Sequence, residues 1–325
     1  MSSKINRRNF FRKSFVATTG AALAFHFEEK ALLAAMRNPG AYDKPNVGKG
    51  LPKGKLGDLE VSRVICGGNL ISGFAHSRDL IYVSEFMRHY FTDEKVMETL
   101  QICEENGVNT AILRLDDHTL RIINKYWHER GGKIQWIAQI KIREKDVKSE
   151  VQRAIDNGAS AVFVHGGVAD RLVRQNKIET LARAVQFIKF NEVPAGIAGH
   201  AVQVPMACEK DGIDPDFYMK TINSKSYWSA GPRPRHDSVW AETPEQTIRF
   251  MENVKKPWIG YKVLGAGAIH PEEGFKYAFE NGTDFICVGM FDFQVAEDAA
   301  IARKILAGKL ERKREWMGGE VKSEE

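Results

Sequence analysis

Eight positions carry a polar or ionisable side chain at or just past the end of an apolar run: Asn69, Arg114, Lys141, His165, His200, Lys220, Lys262 and Asp292. Charge in a buried strand is costly unless it is paired or used. Eight such groups in the same place relative to their strands therefore point to a shared pocket. Its lysine excess discriminates between chemistries. Three ammonium groups would oppose a divalent cation and draw nearby carboxylates into pairs. They suit an anionic or oxyanionic substrate, or one lysine with a lowered pKa acting as base or Schiff-base nucleophile. No metal site is assigned, although His76, His165, His200, Glu209 and Asp292 are suitable ligand types, and a divalent metal stays open as the alternative. The structural alternative pairs the lysines with Asp116, Asp117 and Asp292 as internal struts.

Two long connections add candidates. The stretch FAHSRDLIYVSEFMRHYF supplies His76 and Arg78, and connections longer than about 12 to 15 residues in a compact domain are usually lids or binding loops. The stretch 223–242, NSKSYWSAGPRPRHDSVWAE, offers Tyr227 and Trp228 to stack on a sugar ring or planar cofactor, with Arg233, Arg235 and His236 as donors.

Positioning these groups takes eight strands, read at 61–66, 108–114, 134–141, 161–167, 194–201, 216–223, 258–265 and 284–290. Nearly unbroken apolar strands separated by helical stretches imply parallel pairs covered on both faces. Eight βα units in about 250 residues fit a single (β/α)8 barrel, whose functional groups gather at the carboxyl ends of its strands. A short repeat supports the count: ENG before VNTAIL, DNG before ASAVFV and ENG before TDFICV each join a helix to a strand, with glycine suited to the left-handed residue that ends a helix. Residues 53–308 are assigned to the barrel, 36–52 to a lead-in and 309–325 to a charged, frayed tail.

Residues 1–35 are set apart. NRRNFFRK followed by SFVATTGAALAF resembles a twin-arginine export signal, with its basic and short apolar regions. Removing this stretch takes away six basic and two acidic side chains, so the formal charge falls from +5 to +1. What remains has no long basic stripe for nucleic acid and no apolar run of the roughly 20 residues a membrane span needs. The expected partner is a small molecule, with no nucleic acid and no stable membrane insertion after signal removal; oligomeric state is not legible. Cys66, Cys103, Cys208 and Cys287 lie far apart and read as small buried hydrophobes.

LGDLEVSRVICGGN resembles the opening of aldo/keto reductases, and the resemblance continues through GVNTAILR, IAQIK, AVFVHGG and IGYKVLGAGAIHPEEGFKYAF, spanning about residues 53 to 300. It implies an aldo/keto reductase-like barrel, an oxidoreductase activity and a nicotinamide cofactor, NAD(P). Lys141 and His165 match two of the family's four catalytic positions. The family's aspartate falls on Ile112, and no tyrosine stands where its proton donor belongs, so Tyr82 or Tyr90 would have to swing in from the long loop. YMKT and GYKVLGAGAI are also similar to the paired lysine strands of deoxyribose-phosphate-type aldolases, with Lys220 as nucleophile and Lys262 tuning it.

Three functions follow as expectations: an exported enzyme acting on a small carbonyl or polyol, sugar-like compound; a nicotinamide-independent lyase, aldolase or isomerase using a Schiff-base lysine or a metal; and a sugar- or anion-binding barrel without catalysis. Export is the most directly testable. The mature chain is expected to begin between about residues 25 and 40, and replacing both Arg7 and Arg8 with lysine should hold the precursor in the cytoplasm. Unchanged export of that double variant, followed by fractionation and N-terminal sequencing, would remove the signal reading.

Overall fold

The computed structural model describes residues 50–74, 80–224 and 243–319. The expected signal stretch and most of the lead-in lie outside them. Eight parallel strands close into a barrel in chain order: β3 (Val64–Gly67), β4 (Thr110–Arg114), β5 (Gln135–Ile140), β6 (Ala161–Val164), β7 (Ala195–Gly199), β8 (Phe217–Thr221), β9 (Trp258–Tyr261) and β10 (Phe285–Val288). The ring seals where Ile286 of β10 stands opposite Val64 of β3. The expected (β/α)8 barrel is thus the fold. Alternate side chains divide between two cores, as the two-residue period of a strand requires. Ile65, Ile112, Ile137, Phe163, Phe217 and Ile259 fill the barrel, whereas Val64, Leu113, Trp136, Val162 and Tyr218 face the helices.

The sequence reading of one strand at 61–66 is corrected. An antiparallel hairpin, β1 (Lys53–Leu56) and β2 (Leu59–Ser62), precedes β3, turning at Gly57 with φ of 59°. Leu56 and Val61 are fully buried in the barrel's inner core, so the hairpin stoppers the amino-terminal end. The residue between hairpin and barrel, Arg63, is also buried, its guanidinium lying 4.3 Å from the Trp316 ring centroid and 5.0 Å from that of Phe285. Trp316 belongs to the segment expected to fray. Residues 309–319 instead pack under the barrel: the Met317 and Gly318 amides donate to Asp284 Oδ1 at 2.7 and 3.2 Å, and Lys55 N donates to Gly318 O at 2.7 Å.

The helices are α1 (Val83–Tyr90), α2 (Asp93–Glu105), α3 (Asp117–Glu129), α4 (Ser149–Asp156), α5 (Gly166–Arg174), α6 (Ile178–Phe190), α7 (Gln203–Lys210), α8 (Pro244–Met251), α9 (Pro271–Glu280) and α10 (Asp292–Ala307). One long helix was expected after β6; the chain breaks it into α5 and α6 at Asn176, whose φ is 54°. α1 is an extra helix inside the first long connection. Helices α2, α4 and α9 share one ending, as the repeat implied. Gly107, Gly158 and Gly282 take φ of 85°, 84° and 99°. The next residue's amide then reaches back to Cys103, Ala154 or Ala278 at 2.8, 3.0 and 3.1 Å. That is a Schellman-type closure, which favours glycine at the left-handed position.

Asp284 is fully buried, and besides the two tail amides it accepts the Trp258 amide at 3.1 Å, with Arg314 Nη2 3.8 Å away. Removing its side chain leaves Arg314 without its carboxylate, takes the opposite charge away from Arg63 and strips the three amides of their acceptor. Asp284→Ala is expected to lower stability by about 3 to 5 kcal/mol, read from urea unfolding. A loss below about 1 kcal/mol, the range of an exposed pair, would mean that the basal cluster is not what holds this end together.

Candidate functional site

The barrel's carboxyl end opens into a cavity of about 320 Å³. Among the sequence candidates, Asn69, Arg114, His165, His200 and Lys262 line it, together with the apolar walls of Phe163, Met219 and Phe291. Among the described residues no aspartate or glutamate lines it. Arg114 pairs with Asp116 at 2.8 Å and lies over the Phe74 ring, 4.8 Å to the centroid. β9 ends at Tyr261 instead of running to Gly265 because Lys262 has a left-handed φ of 63°. The turn it begins carries the Lys262 side chain to the cavity wall.

His165 follows β6 and caps α5. Its Nδ1 accepts the Gly167 amide at 3.1 Å. Burial, and then the charges of Lys141, His200 and Arg114, push its pKa down from 6.5 to about 4 against the opposing pull of Asp170. It is a neutral imidazole at pH 7. Because Nδ1 accepts, the ring proton sits on Nε2 and makes that edge a donor.

His200 follows β7. Asp170 of α5, almost fully buried, accepts the backbone amides of His200 and Ala201, each at 3.1 Å, and holds the His200 ring nitrogen Nδ1 at 2.7 Å. Burial alone would raise the Asp170 pKa; the hydrogen bonds and charge of His200, with these amides, outweigh it and hold the carboxyl below its ordinary value. The Tyr261 ring meets the His200 ring edge-on at 5.5 Å. Its hydroxyl is buried beside that of Thr221, and burial raises the phenol pKa strongly, against a smaller opposing effect of the Thr221 hydroxyl. Gly166 makes room for this contact: a Cβ there would lie 3.0 Å from the tyrosine oxygen and 3.2 Å from the imidazole.

The remaining candidates are elsewhere. Lys220 was expected to face the pocket beside Lys262. Met219 lines the cavity, so its neighbour Lys220 points to the outer face of β8, where it is buried and donates to the carbonyls of His200 at 2.7 Å and Thr221 at 3.0 Å. Its pKa does fall to about 7, but through burial, opposed by Asp170, and with no contribution from Lys262. Lys141 is exposed just past β5 and outside the cavity wall, reaching the site only through its charge on His165. Asp292 is bound to the Tyr90 hydroxyl and to Lys95 at 3.0 Å, which fastens α1 and α2 to the start of α10. Tyr90 is thereby committed to that latch, and Tyr82 is exposed, so neither supplies the missing tyrosine. His76, Arg78, Tyr227 and Trp228 lie outside the described residues. Among the described residues no three His, Cys, Asp or Glu side chains gather closely enough to hold a metal ion.

Sequence reasoning missed Asp170, Tyr261 and Gln139. Gln139 was readable: it is a polar residue in an apolar strand, with the same inward parity as Ile137. Asp170 was not, because an aspartate in a helix one turn past a strand is indistinguishable from a solvated one until the His200 loop is folded over it.

No protein-family model matches the chain, nor does any curated protein. Solved structures do. Two described as aldo-keto reductases of Pseudomonas aeruginosa share 16% identity. One covers 82% of this chain and 100% of its own, with a TM-score of 0.58; the other covers 78% and 95%, at 0.55. A structure described as a deoxyribose-phosphate aldolase of Coccidioides immitis shares 12% identity, covering 83% and 96%, at a TM-score of 0.46, too low to carry an argument. The likeness shows the fold alone, a (β/α)8 barrel shared with these aldo-keto reductase structures at low sequence identity.

The His165 environment makes stability depend on pH. Its folded pKa of about 4 lies below the ordinary 6.5, so between these values the unfolded chain takes up a proton that the folded chain does not. The contribution is complete above pH 6.5 and is lost as pH falls through 4. His165→Asn keeps a capping oxygen and removes the titration. The difference in urea midpoint between pH 7 and pH 4.5 should shrink in this variant; an equal difference would show that His165 is not held neutral by the fold.

Proposed function

We propose that the chain is an enzyme interconverting a carbonyl and an alcohol on a small, polar substrate that carries negative charge. The observation that carries this reading is His165, a neutral imidazole on the cavity wall whose Nε2 edge donates. Such a donor stabilises the negative charge that develops on a carbonyl oxygen, without first needing to lose a proton. Arg114, although Asp116 pairs with it from outside the cavity, and Lys262 bring positive charge to a described wall that no aspartate or glutamate lines, which favours an anionic group on the substrate; the amide of Asn69 suits hydroxyls, as on a sugar acid or phosphorylated polyol. The aldo-keto reductase-type fold supports oxidoreduction over other carbonyl chemistry.

That chemistry needs a hydride partner, and the fold implies a nicotinamide. The described residues suit its reactive end: the Tyr261 ring offers a flat wall and Gln139 an amide for a carboxamide. Ligand cavities run from about 300 to 1,000 Å³. At about 320 Å³ this one takes a nicotinamide ring and a small substrate, leaving the rest of a dinucleotide to the rim. Bound there, the cofactor would give or take a hydride at the substrate carbon. If the twin-arginine reading holds, such a cofactor would cross the membrane already seated in the folded barrel. The Schiff-base alternative through Lys220 loses its support, since that amine faces away from the cavity.

The test is an absorbance spectrum of the purified chain for bound nicotinamide, followed by initial rates with NADPH or NADH and a panel of keto acids and phosphorylated keto-sugars. His165→Asn is expected to lower kcat by about 100-fold or more with little change in melting temperature. Absence of both bound nicotinamide and turnover would count against oxidoreduction. A borohydride-trapped adduct mapped to Lys220 would restore the lyase.

A further inference from the structure

We infer that Asp170 and His200 are the proton-transferring pair of this cavity, His200 exchanging the proton with the substrate hydroxyl and Asp170 positioning it, while His165 serves only as a fixed donor. This rests on the carbonyl–alcohol reading above and fills the acid's place that Tyr82 and Tyr90 leave open.

The two imidazoles are held in opposite tautomers. His165 Nδ1 accepts from a backbone amide, so its proton is on Nε2. His200 Nδ1 stands 2.7 Å from a buried carboxylate that is kept ionised and can only accept, so the proton is on Nδ1 and the Nε2 lone pair is bare. One donor and one acceptor on the same wall match the two needs of one hydroxyl, whose oxygen accepts from His165 while its hydrogen is given to His200. In the oxidative direction the substrate O–H bond breaks and its proton bonds to His200 Nε2. The electron pair left on oxygen becomes the second C–O bond as the carbon releases a hydride to an oxidised nicotinamide. Reduction reverses each transfer. The imidazolium formed lies against Asp170, which neutralises it without itself being protonated.

The loop is built to hold that ring still. Asp170 takes both backbone amides at the turn, and Lys220 Nζ holds the His200 carbonyl from the other side. The Tyr261 ring blocks one edge. Three residues thus orient one imidazole through five contacts, more than an unreactive surface histidine would need.

The experiment is histidine-selective 15N labelling with long-range 1H–15N spectra of the wild-type chain at a pH where the rings are neutral, assigned through His165→Gln and His200→Gln. His165 is expected as the Nε2–H tautomer and His200 as Nδ1–H. With a turned-over substrate, His200→Gln should lower kcat by about 100-fold while KM stays within about threefold. Asp170→Asn should do the same and lose the Nδ1–H signature, with part of the rate restored in Asp170→Glu. Should Asp170→Asn fail to fold, His200→Gln and the wild-type spectrum still decide. A His200 protonated on Nε2 in the wild type, or a His200→Gln variant within about threefold of wild-type kcat, would overturn the pair. If the wild type turns over no carbonyl or alcohol, the functional reading fails, and the tautomer measurement still judges the pair separately.

Discussion

Side-chain alternation along a closed, covered barrel governs everything else in this protein. Once β10 pairs with β3, no barrel strand has a free edge and each of its residues must face either the inner core or the helices. Met219 and Lys220 are neighbours in sequence, yet one forms the floor of the cavity and the other is sealed between sheet and helix layer. Lys220 can be buried there only because two carbonyls accept from its amine and the Asp170 carboxylate opposes the cost of its charge. What reads as a nucleophile in one dimension becomes a strut of the His200 loop in three.

The charge distribution at the mouth follows from the same geometry. Carboxylates are close, but each is spent outside the cavity wall: Asp116 on Arg114, Asp170 on the His200 loop, Asp292 on Lys95 and Tyr90. The wall itself keeps cations, amides and two imidazoles of opposite polarity. Burial in that positive setting holds His165 neutral, and contact with one carboxylate sets the orientation of His200. Two histidines at equivalent strand ends thereby acquire different chemistry from their second neighbours alone.

The opposite end of the barrel carries stability. The β1–β2 hairpin, Arg63, Asp284 and the segment through Gly319 interlock through buried charges and backbone amides. Placing this polar cluster under the barrel floor separates it from the cavity by the inner core of Phe217, Ile259 and Phe285. Strain or substitution at one end is therefore insulated from the other, the usual division of labour in (β/α)8 barrels.

Local signals in the chain determined the barrel class, the order of its eight strands, the shared glycine closures of α2, α4 and α9, and the grouping of Asn69, Arg114, His165, His200 and Lys262 at one end. Each of these depends on periodicity, on a backbone angle only glycine takes readily, or on position at a strand's end, all of which are written locally. The split at Arg63, the docking of Trp316, the outward face of Lys220, the capture of Tyr90 by Asp292 and the partnership of Asp170 with His200 were decided by tertiary structure alone. Strand parity depends on where a strand begins, and the sequence leaves that uncertain by a residue, which is enough to turn a side chain from one face to the other. The pairings join residues from 30 to more than 250 positions apart, and no local pattern can specify a contact that exists only after the ring has closed.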